Sequence, residues 1–186
     1  MSEKIRAEEL RIEKLDKSHG LLVRNFHAKN KVLKDFLIED AIKNQDLLIS
    51  TTYLWFYTKT NELVAYISLL NDSLRIRETD LERVFVDKGI LYKSLPALKI
   101  GRLCVDERFA NRGIGTIITK FSISLGFDMS KTIGCRFIVL DSKREAMNFY
   151  KKLDFRILKE EEKETVPMYF DLMDMINLRK EPHGRE

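Results

Sequence analysis

Two glycines, Gly113 and Gly115, lie between an apolar stretch typical of a buried strand and an amphipathic stretch typical of a helix. A glycine at the start of a helix lets a ligand approach the main chain, because it carries no Cβ. The first N–H groups of a helix have no partner inside it and lie at the positive end of its dipole. This pattern therefore predicts a site for a phosphate or pyrophosphate group.

Apolar residues at helical spacing indicate the helix that follows the glycines. They are Ile114, Ile117, Ile118, Phe121 and Leu125. Two common phosphate-binding motifs do not fit. A dinucleotide-binding loop has a third glycine three residues after the second, where this chain has Ile118. A P-loop continues with Lys and Ser or Thr after its last glycine, where this chain has Thr116 and Ile117.

Two segments together resemble the GNAT superfamily of acetyl-CoA-dependent N-acetyltransferases. They are IGRLCVDERFANRGIGTIITKF and, further along, FIVLDSKREAMNFYKKLDF. The resemblance is close over about residues 98–158 and looser elsewhere. Within the superfamily the chain is most similar to a branch with a Gly-Arg-Leu-x-Val-Asp strand, here Gly101 to Asp106. That branch includes bacterial toxins that acetylate the amino acid on charged tRNA.

The resemblance implies that acetyl-CoA is the co-substrate and that its pyrophosphate is held by backbone N–H groups. The family pattern Gln/Arg-x-x-Gly-x-Gly/Ala falls on Ala110 to Gly115. The groups implied are those of Arg112, Gly113, Ile114, Gly115 and Thr116. Ala110 replaces the usual Gln or Arg, and we expect Arg112 to supply the lost charge. The resemblance also implies main-chain contacts to pantetheine, from Leu103, Cys104 and Val105.

The second segment matches the family pattern Ala-x-x-Phe-Tyr-x-x-x-Gly-Phe, here from Ala146 to Phe155. The family keeps a tyrosine at Tyr150, where its O–H would protonate the thiolate that leaves when an amine attacks the thioester. Phe149 is then expected to pack at the cofactor site. Asp154 replaces the usual glycine, and aspartate tolerates the left-handed backbone conformation better than most residues.

The sequence does not identify a general base. Asp106, Glu107, Glu78 and Asp72 are candidates without a spacing argument, and an acceptor amine of low pKa needs only water. Arg102 lies inside a predicted strand, where a buried arginine needs a partner. It either faces the acceptor or pairs with a carboxylate of the sheet.

Strands and helices alternate around these motifs. The sequence predicts an edge strand at 10–16, a helix at 29–45, a hairpin of strands 48–58 and 63–70, a strand at 98–105, the helix from 113, a strand at 135–141, a helix at 143–152, and strands at 155–158 and 166–172. Residues 71–97 are predicted to be an insertion or a long connection with some helix, and residues 159–164 a solvated hairpin turn. Pro167 favours an edge or a bulge.

This order predicts one α/β domain over residues 1–186, with a mixed sheet and a flexible tail from about residue 174. The resemblance implies the GNAT fold: a mostly antiparallel sheet, a central splayed pair of parallel strands, and helices on both faces. Such folds often form homodimers.

Composition excludes several classes of protein. A chain of 186 residues with 44% hydrophobic and 33% charged residues is not disordered. It shows neither a membrane span nor a secretory signal, so we expect a cytoplasmic protein without a membrane partner. Cys104 and Cys135 are expected to be buried thiols, with a disulfide or a nucleophile as the alternatives. The three histidines lie far apart, so no metal site is expected.

Three functions remain open from the sequence. The first is an N-acetyltransferase that transfers acetyl directly from acetyl-CoA to a primary amine of a small molecule or peptide. The second is a toxin that acetylates the amino acid of aminoacyl-tRNA and has an antitoxin partner. The third is a non-catalytic acyl-CoA-binding module, which Ala110 alone favours.

Overall fold

The computed structural model describes residues 3–160 and 162–180, with side chains as far as residue 176. Within these residues seven strands form one sheet. They are β1 Leu10–Lys14, β2 Thr51–Tyr57, β3 Glu62–Arg75, β4 Ser94–Val105, β5 Phe137–Lys143, β6 Arg156–Ile157 and β7 Thr165–Asp171. Their order in the sheet is β1-β2-β3-β4-β5-β7-β6.

Strand pairing is mixed and mostly antiparallel. β1 pairs with β2, β2 with β3, β5 with β7 and β6 with β7 in the antiparallel sense. β4 and β5 are parallel, through Ala97–Lys99 and Phe137–Val139. The predicted α/β class with a parallel pair is confirmed; the splay of that pair stays a prediction.

The helices lie between and after these strands. They are α1 Gly20–Arg24, α2 Lys31–Asp35, α3 Ala41–Asp46, α4 Asp80–Val86, α5 Ile114–Met129, α6 Met147–Lys151 and α7 Leu172–Lys180. A π-helical turn, Phe36–Asp40, joins α2 to α3. The Asn30 side chain caps this helical stretch by accepting a hydrogen bond from the Val32 N–H. The predicted helix at 29–45 is therefore confirmed, whereas α1 was not predicted.

The chain forms two compact units. The first unit contains the described residues up to Leu70 together with Ile100–Ser122. In it, Leu54 and Phe56 of β2 pack with Leu37 and Ala41 in one core cluster. Tyr53 and Trp55, on the opposite face of the strand, contact Phe121 of α5. Helices therefore cover both faces of this part of the sheet.

The second unit contains Asn71–Lys99 and the described residues from Ile123 onward. Phe137 and Val139 of β5 pack with Phe85 of α4 in its core cluster. Ile138 points the other way and packs close to α5, where a Cβ on Gly126 would collide with its Cδ1 atom. Here too the sheet is covered on both faces.

The prediction for residues 71–97 is wrong in extent. β3 runs to Arg75 and β4 begins at Ser94, so the connection is shorter and contains α4. Leu74 and Ile76 are buried while Arg75 between them is exposed. That alternation is the period of a half-buried strand, and it was the signal for the longer β3.

The expectation that Pro167 favours a sheet edge or a bulge is also wrong, because β7 lies between β5 and β6 and pairs with β5 without a register shift. The Pro167 carbonyl accepts from the Leu158 N–H, so the missing N–H of Pro167 points toward the β6 side. β6 pairs only through Arg156 and Ile157. Pro167 therefore removes no hydrogen bond between β7 and β5.

Two further observations concern the C-terminal residues and the length of the helices. α7 occupies Leu172–Lys180, where the predicted tail begins, and residues 181–186 lie outside the described residues. No helix in the described part of the chain is long and apolar enough to cross a membrane.

Candidate active site

A closed turn follows β4. The Asp106 carboxylate is fully buried and accepts hydrogen bonds from the N–H groups of His27 and Arg108 at 2.9 and 3.0 Å. The Arg108 guanidinium adds two further hydrogen bonds, both 2.9 Å long. Burial raises the pKa of Asp106, but the hydrogen bonds from Arg108 and His27 outweigh it and hold the pKa below its ordinary value.

A second turn, Ala110 to Gly113, leads from there into α5. Asn111 and Gly113 both have left-handed backbone angles, with φ of 61° and 86°. A Cβ on Gly113 would have no atom closer than 3.9 Å, so the backbone conformation rather than space requires glycine there. Successive N–H groups of a turn with such backbone angles converge on one concave surface, which suits an anion.

The chain's N-terminal segment anchors this turn. The Ile5 N–H donates to the Arg112 carbonyl at 2.9 Å, and Arg112 Nε donates to the Glu3 carbonyl at 3.0 Å. The Arg112 guanidinium also lies over the rings of Tyr57 and Phe109, 5.5 and 5.4 Å from their centroids. The Arg112 side chain, expected to supply the charge missing at Ala110, is thus already held by protein groups.

The backbone N–H groups from Arg112 through Thr116 have no acceptor in the part of the chain that the structure describes. The first hydrogen bond of the helix runs from the Ile117 N–H to the Gly113 carbonyl at 3.3 Å. Among the described residues, none of the N–H groups from Arg112 through Thr116 donates to another group of the chain. Since α5 is sixteen residues long, these donors lie at the positive end of a full helix dipole. The residues present therefore fit a pyrophosphate.

The strand before these turns carries the residues expected to contact pantetheine. Leu103 and Val105 are half-buried, and Cys104 is buried in the core cluster with Tyr66. Burial, reinforced by nearby Asp106, raises the pKa of Cys104 to about 12. Cys135 is also a buried free thiol, and burial raises its pKa. Both cysteines are packed thiols rather than nucleophiles, while the pantetheine contacts stay a prediction.

Tyr150 belongs to the second unit, on α6. Its ring is buried between Phe149 and Phe155, with centroids 4.9 and 5.6 Å away. Burial raises the pKa of Tyr150 to about 12, so the phenol is protonated at neutral pH. Asp154, in the glycine position of the family pattern, has φ of 64°, which confirms the expected left-handed turn.

The Tyr150 hydroxyl makes no hydrogen bond within the described part of the chain. Among the same residues, Thr52 Oγ1 is the only fully buried side-chain nitrogen or oxygen atom without a partner. The Tyr150 oxygen is therefore not fully buried, although its ring is. This is the arrangement of a hydroxyl that can reach a ligand.

The candidate bases are differently placed. Asp106 is saturated by the hydrogen bonds of the closed turn, and Asp72 lies 3.5 Å from the Lys99 ammonium. The Glu78 N–H donates to the Glu82 carboxylate, and Glu107 is exposed. Sequence reasoning missed the capping role of Asp106. An Asp directly after an apolar strand and before a short turn is a typical cap, and this was the available signal.

Arg102 is exposed, not buried as the sequence suggested. Its Nη1 donates to the Gly101 carbonyl at 2.7 Å, and its Cζ lies 5.2 Å from the centroid of the Phe36 ring. Its guanidinium forms no ion pair among the described residues, so the alternative of pairing with a sheet carboxylate is wrong.

Comparisons with known proteins agree with this architecture. A Tyr-to-Phe mutant of KacT is 20% identical, covers 91% of this chain and 99% of its own, and has a TM-score of 0.77. AtaT complexed with acetyl-methionyl-tRNAfMet is 21% identical, with coverage of 92% and 99% and a TM-score of 0.79. A Tyr-to-Phe mutant of the AtaT toxin, bound to the C-terminus of the antitoxin AtaR and acetyl-CoA, is 18% identical, with coverage of 93% and 99% and a TM-score of 0.74.

At these identities the likeness concerns the fold. The family follows from the sequence match, which spans residues 26–155 and therefore the closed turn, the turn before α5 and Tyr150. The chain belongs to the acetyltransferase (GNAT) family.

Proposed function

We propose that the protein transfers an acetyl group from acetyl-CoA to a primary amine by direct attack in a ternary complex. The observation that carries this proposal concerns the N–H groups from Arg112 through Thr116. None of them donates a hydrogen bond to a group in the described chain. A diphosphate offers the acceptors that these donors lack. Acetyl-CoA as co-substrate agrees with the family and with the AtaT complex that contains it.

Acetyl-CoA supplies a thioester whose carbonyl carbon accepts the amine and whose sulfur leaves as a thiolate. In the proposed reaction the amine nitrogen forms the new C–N bond while the C–S bond breaks. The main chain of Leu103, Cys104 and Val105 orients the pantetheine, and Phe149 packs beside it. These roles rest on the family resemblance.

Tyr150 is the proposed general acid. Its phenol carries a proton throughout the neutral range, because burial has raised its pKa. Its hydroxyl has no competing partner in the described chain, so the proton is available to the leaving sulfur. The amine loses its own proton to water, since Asp106 and Asp72 already hold cations.

The acceptor favoured by the comparisons is the amino group of aminoacyl-tRNA. AtaT is described in complex with acetyl-methionyl-tRNAfMet, and its fold matches over most of this chain. A toxin of this kind would also have an antitoxin partner, as AtaT has in AtaR. An ester-linked α-amino group has a low pKa, which suits a site that relies on water as the base.

Calorimetry with acetyl-CoA and a thiol-release assay with charged tRNAs and amines test the proposal. We expect acetyl-CoA binding together with turnover on at least one acceptor. Absence of binding at about millimolar acetyl-CoA would remove the proposed function. A Kd of about 1 mM corresponds to a binding free energy of about −4 kcal/mol. Binding without turnover on any acceptor would indicate a non-catalytic acyl-CoA-binding module.

Tyr150→Phe tests the acid directly. We expect turnover to fall by about 10²-fold or more, with acetyl-CoA affinity nearly unchanged. Tyr169→Phe is the matched control, because Tyr169 is a buried tyrosine of the same unit, on β7. Unchanged turnover in Tyr150→Phe would reject its role. Growth after induced expression of the wild type and of this variant tests toxicity.

A further inference from the structure

Arg102 is a cation held in place without a carboxylate partner among the described residues. Arg136, by contrast, binds the Asp171 carboxylate through two hydrogen bonds, of 2.9 and 2.7 Å. Arg102 instead donates Nη1 to the carbonyl of its own neighbour, Gly101. This contact does not use the Nε and Nη2 edge of the guanidinium. That edge can bind an oxyanion through two parallel hydrogen bonds.

The Phe36 ring under the guanidinium is itself fixed. Phe36 begins the π-helical turn and stacks on Tyr66, with centroids 6.4 Å apart and planes 21° apart. The Tyr66 hydroxyl donates to the Leu33 carbonyl at 2.6 Å. Single π-turns inside α-helices occur frequently at functional sites, because they re-aim the side chains of one turn. Tyr66, Phe36 and Arg102 thus form a layered platform whose outermost member is the guanidinium.

The platform lies next to the strand segment proposed to bind pantetheine. Arg102 directly precedes Leu103, and Val105 leads toward the turn proposed to bind the pyrophosphate. Since pantetheine extends from the pyrophosphate, its thioester end is expected at the Leu103 end of the segment. A strand advances about 3.3 Å per residue, so Arg102 lies within reach of an acceptor at the thioester. This step rests on the proposed function.

We propose that Arg102 binds the terminal nucleotide of a nucleic-acid acceptor, through the phosphate next to the reacting aminoacyl end. The Nε and Nη2 edge provides the two donors for the phosphate oxygens. The outer face of the guanidinium, opposite Phe36, provides a plane on which an unpaired base stacks. A lone carboxylate would use only the edge, whereas a nucleotide uses both features. The acceptor is thereby an amine carried on RNA rather than a free amine.

Binding and turnover with Arg102→Gln test the proposal. The probe for binding is uncharged total tRNA, titrated at several salt concentrations. We expect the affinity to fall by about tenfold, as for a lost hydrogen bond to a charged group. We also expect the slope of log K against log salt to decrease by about 0.7, the value of one phosphate contact on a single strand. Arg102→Lys keeps the charge and should keep most of the slope while losing affinity.

Turnover distinguishes the acceptor classes. With charged tRNAs, Arg102→Gln should raise KM by about tenfold and leave kcat nearly unchanged. With a mixture of amino acid methyl esters, which carry no phosphate, it should change neither constant. Acetyl-CoA binding should also be unchanged. Arg24→Gln is the matched control, because Arg24 is an exposed arginine of the same unit that makes no ion pair in the part of the chain described here.

Each contrary outcome has a definite meaning. Equal losses with charged tRNA and methyl esters would overturn the inference and make Arg102 a general structural residue. An unchanged salt slope, or the same slope change in Arg24→Gln, would overturn it as well. Turnover of methyl esters but not of charged tRNA by the wild type would overturn it and leave the acetyltransferase intact. Failure to bind acetyl-CoA would instead remove the proposed function. The salt dependence of tRNA binding would still test whether Arg102 contacts a phosphate.

Discussion

The two turns that follow β4 make opposite use of the same backbone groups. In the turn at Asp106, a buried carboxylate accepts from the main chain of His27 and Arg108, so the protein satisfies its own donors. In the turn before α5 and the first residues of the helix, the N–H groups from Arg112 through Thr116 have no acceptor in the described chain. Both turns are polar and follow one strand. A polar turn therefore indicates a ligand site only when its donors are left unpaired.

The same contrast separates Cys104 from Tyr150. Burial raises the pKa of each to about 12. The Cys104 sulfur lies within the core, with the Val105 carbonyl 3.7 Å away. The Tyr150 hydroxyl has no partner among the described residues and is not fully buried. Burial alone thus does not make a group structural; what matters is whether its polar atom is enclosed.

The largest effect is expected at the closed turn. Asp106→Ala should lower the free energy of unfolding by about 2–6 kcal/mol, because the N–H donors of His27 and Arg108 lose their acceptor, at about 1–3 kcal/mol each. Urea unfolding measures it. Glu107→Ala, at the exposed neighbouring position, should stay within about 0.5 kcal/mol of the wild type. Similar small losses in both variants would contradict the assignment of Asp106 as the residue that closes the turn.

Alkaline unfolding tests how far the Tyr150 ring is enclosed. A tyrosine whose folded pKa is raised from 10.0 to about 12 contributes stability that is present below pH 10. This stability is lost as the pH rises toward the folded pKa. Between about pH 9 and about pH 11.5, the wild type should lose about 2 kcal/mol more than Tyr150→Phe, measured by urea unfolding. The control Tyr92→Phe, at an exposed tyrosine, should lose as much stability over this pH range as the wild type. If Tyr150→Phe lost the same amount, the Tyr150 phenol would not be strongly buried.

The open turn should respond in binding. Gly113→Ala places a Cβ on a residue with φ of 86°, which costs about 1–2 kcal/mol if the conformation is kept. We expect acetyl-CoA to bind about tenfold more weakly by calorimetry. Gly20→Ala is the control, since Gly20 is right-handed and has open space around it. Normal acetyl-CoA affinity in Gly113→Ala would show that the turn does not hold the ligand.

The smallest effect is expected at Asp154, in a turn that is closed by the chain. Its N–H donates to the Lys151 carbonyl, and the next N–H, of Phe155, donates to the Tyr150 carbonyl. Asp154→Gly relieves the left-handed strain and should raise stability by up to about 1 kcal/mol without changing turnover. Lys152→Gly, at a right-handed position, should lower stability by about 0.5–1 kcal/mol. Thermal unfolding compares them, and a loss of stability in Asp154→Gly would contradict the argument.

Much of the fold was predictable because it depends on local patterns. The helix from Gly113, the hairpin of β2 and β3, and the left-handed turn at Asp154 follow from periodicity and from the conformations that each residue type tolerates. The family could be identified for the same reason, since its motifs are short and contiguous. The errors at residues 71–97 and Pro167 concern where a strand ends and where it lies in the sheet. Those features depend on neighbouring strands.

The sequence by itself determined that a glycine turn opens a helix and that a tyrosine follows at the family's position. Only the tertiary structure decided which polar groups are already used. The Asp106 carboxylate accepts a hydrogen bond from the N–H of His27, which lies 79 residues away, and the Ile5 N–H donates to the turn before α5. Arg102 is exposed on Phe36, although its neighbours in sequence suggested burial. Whether a donor or a charge remains available depends on partners that are distant along the chain, and the local sequence does not identify those partners.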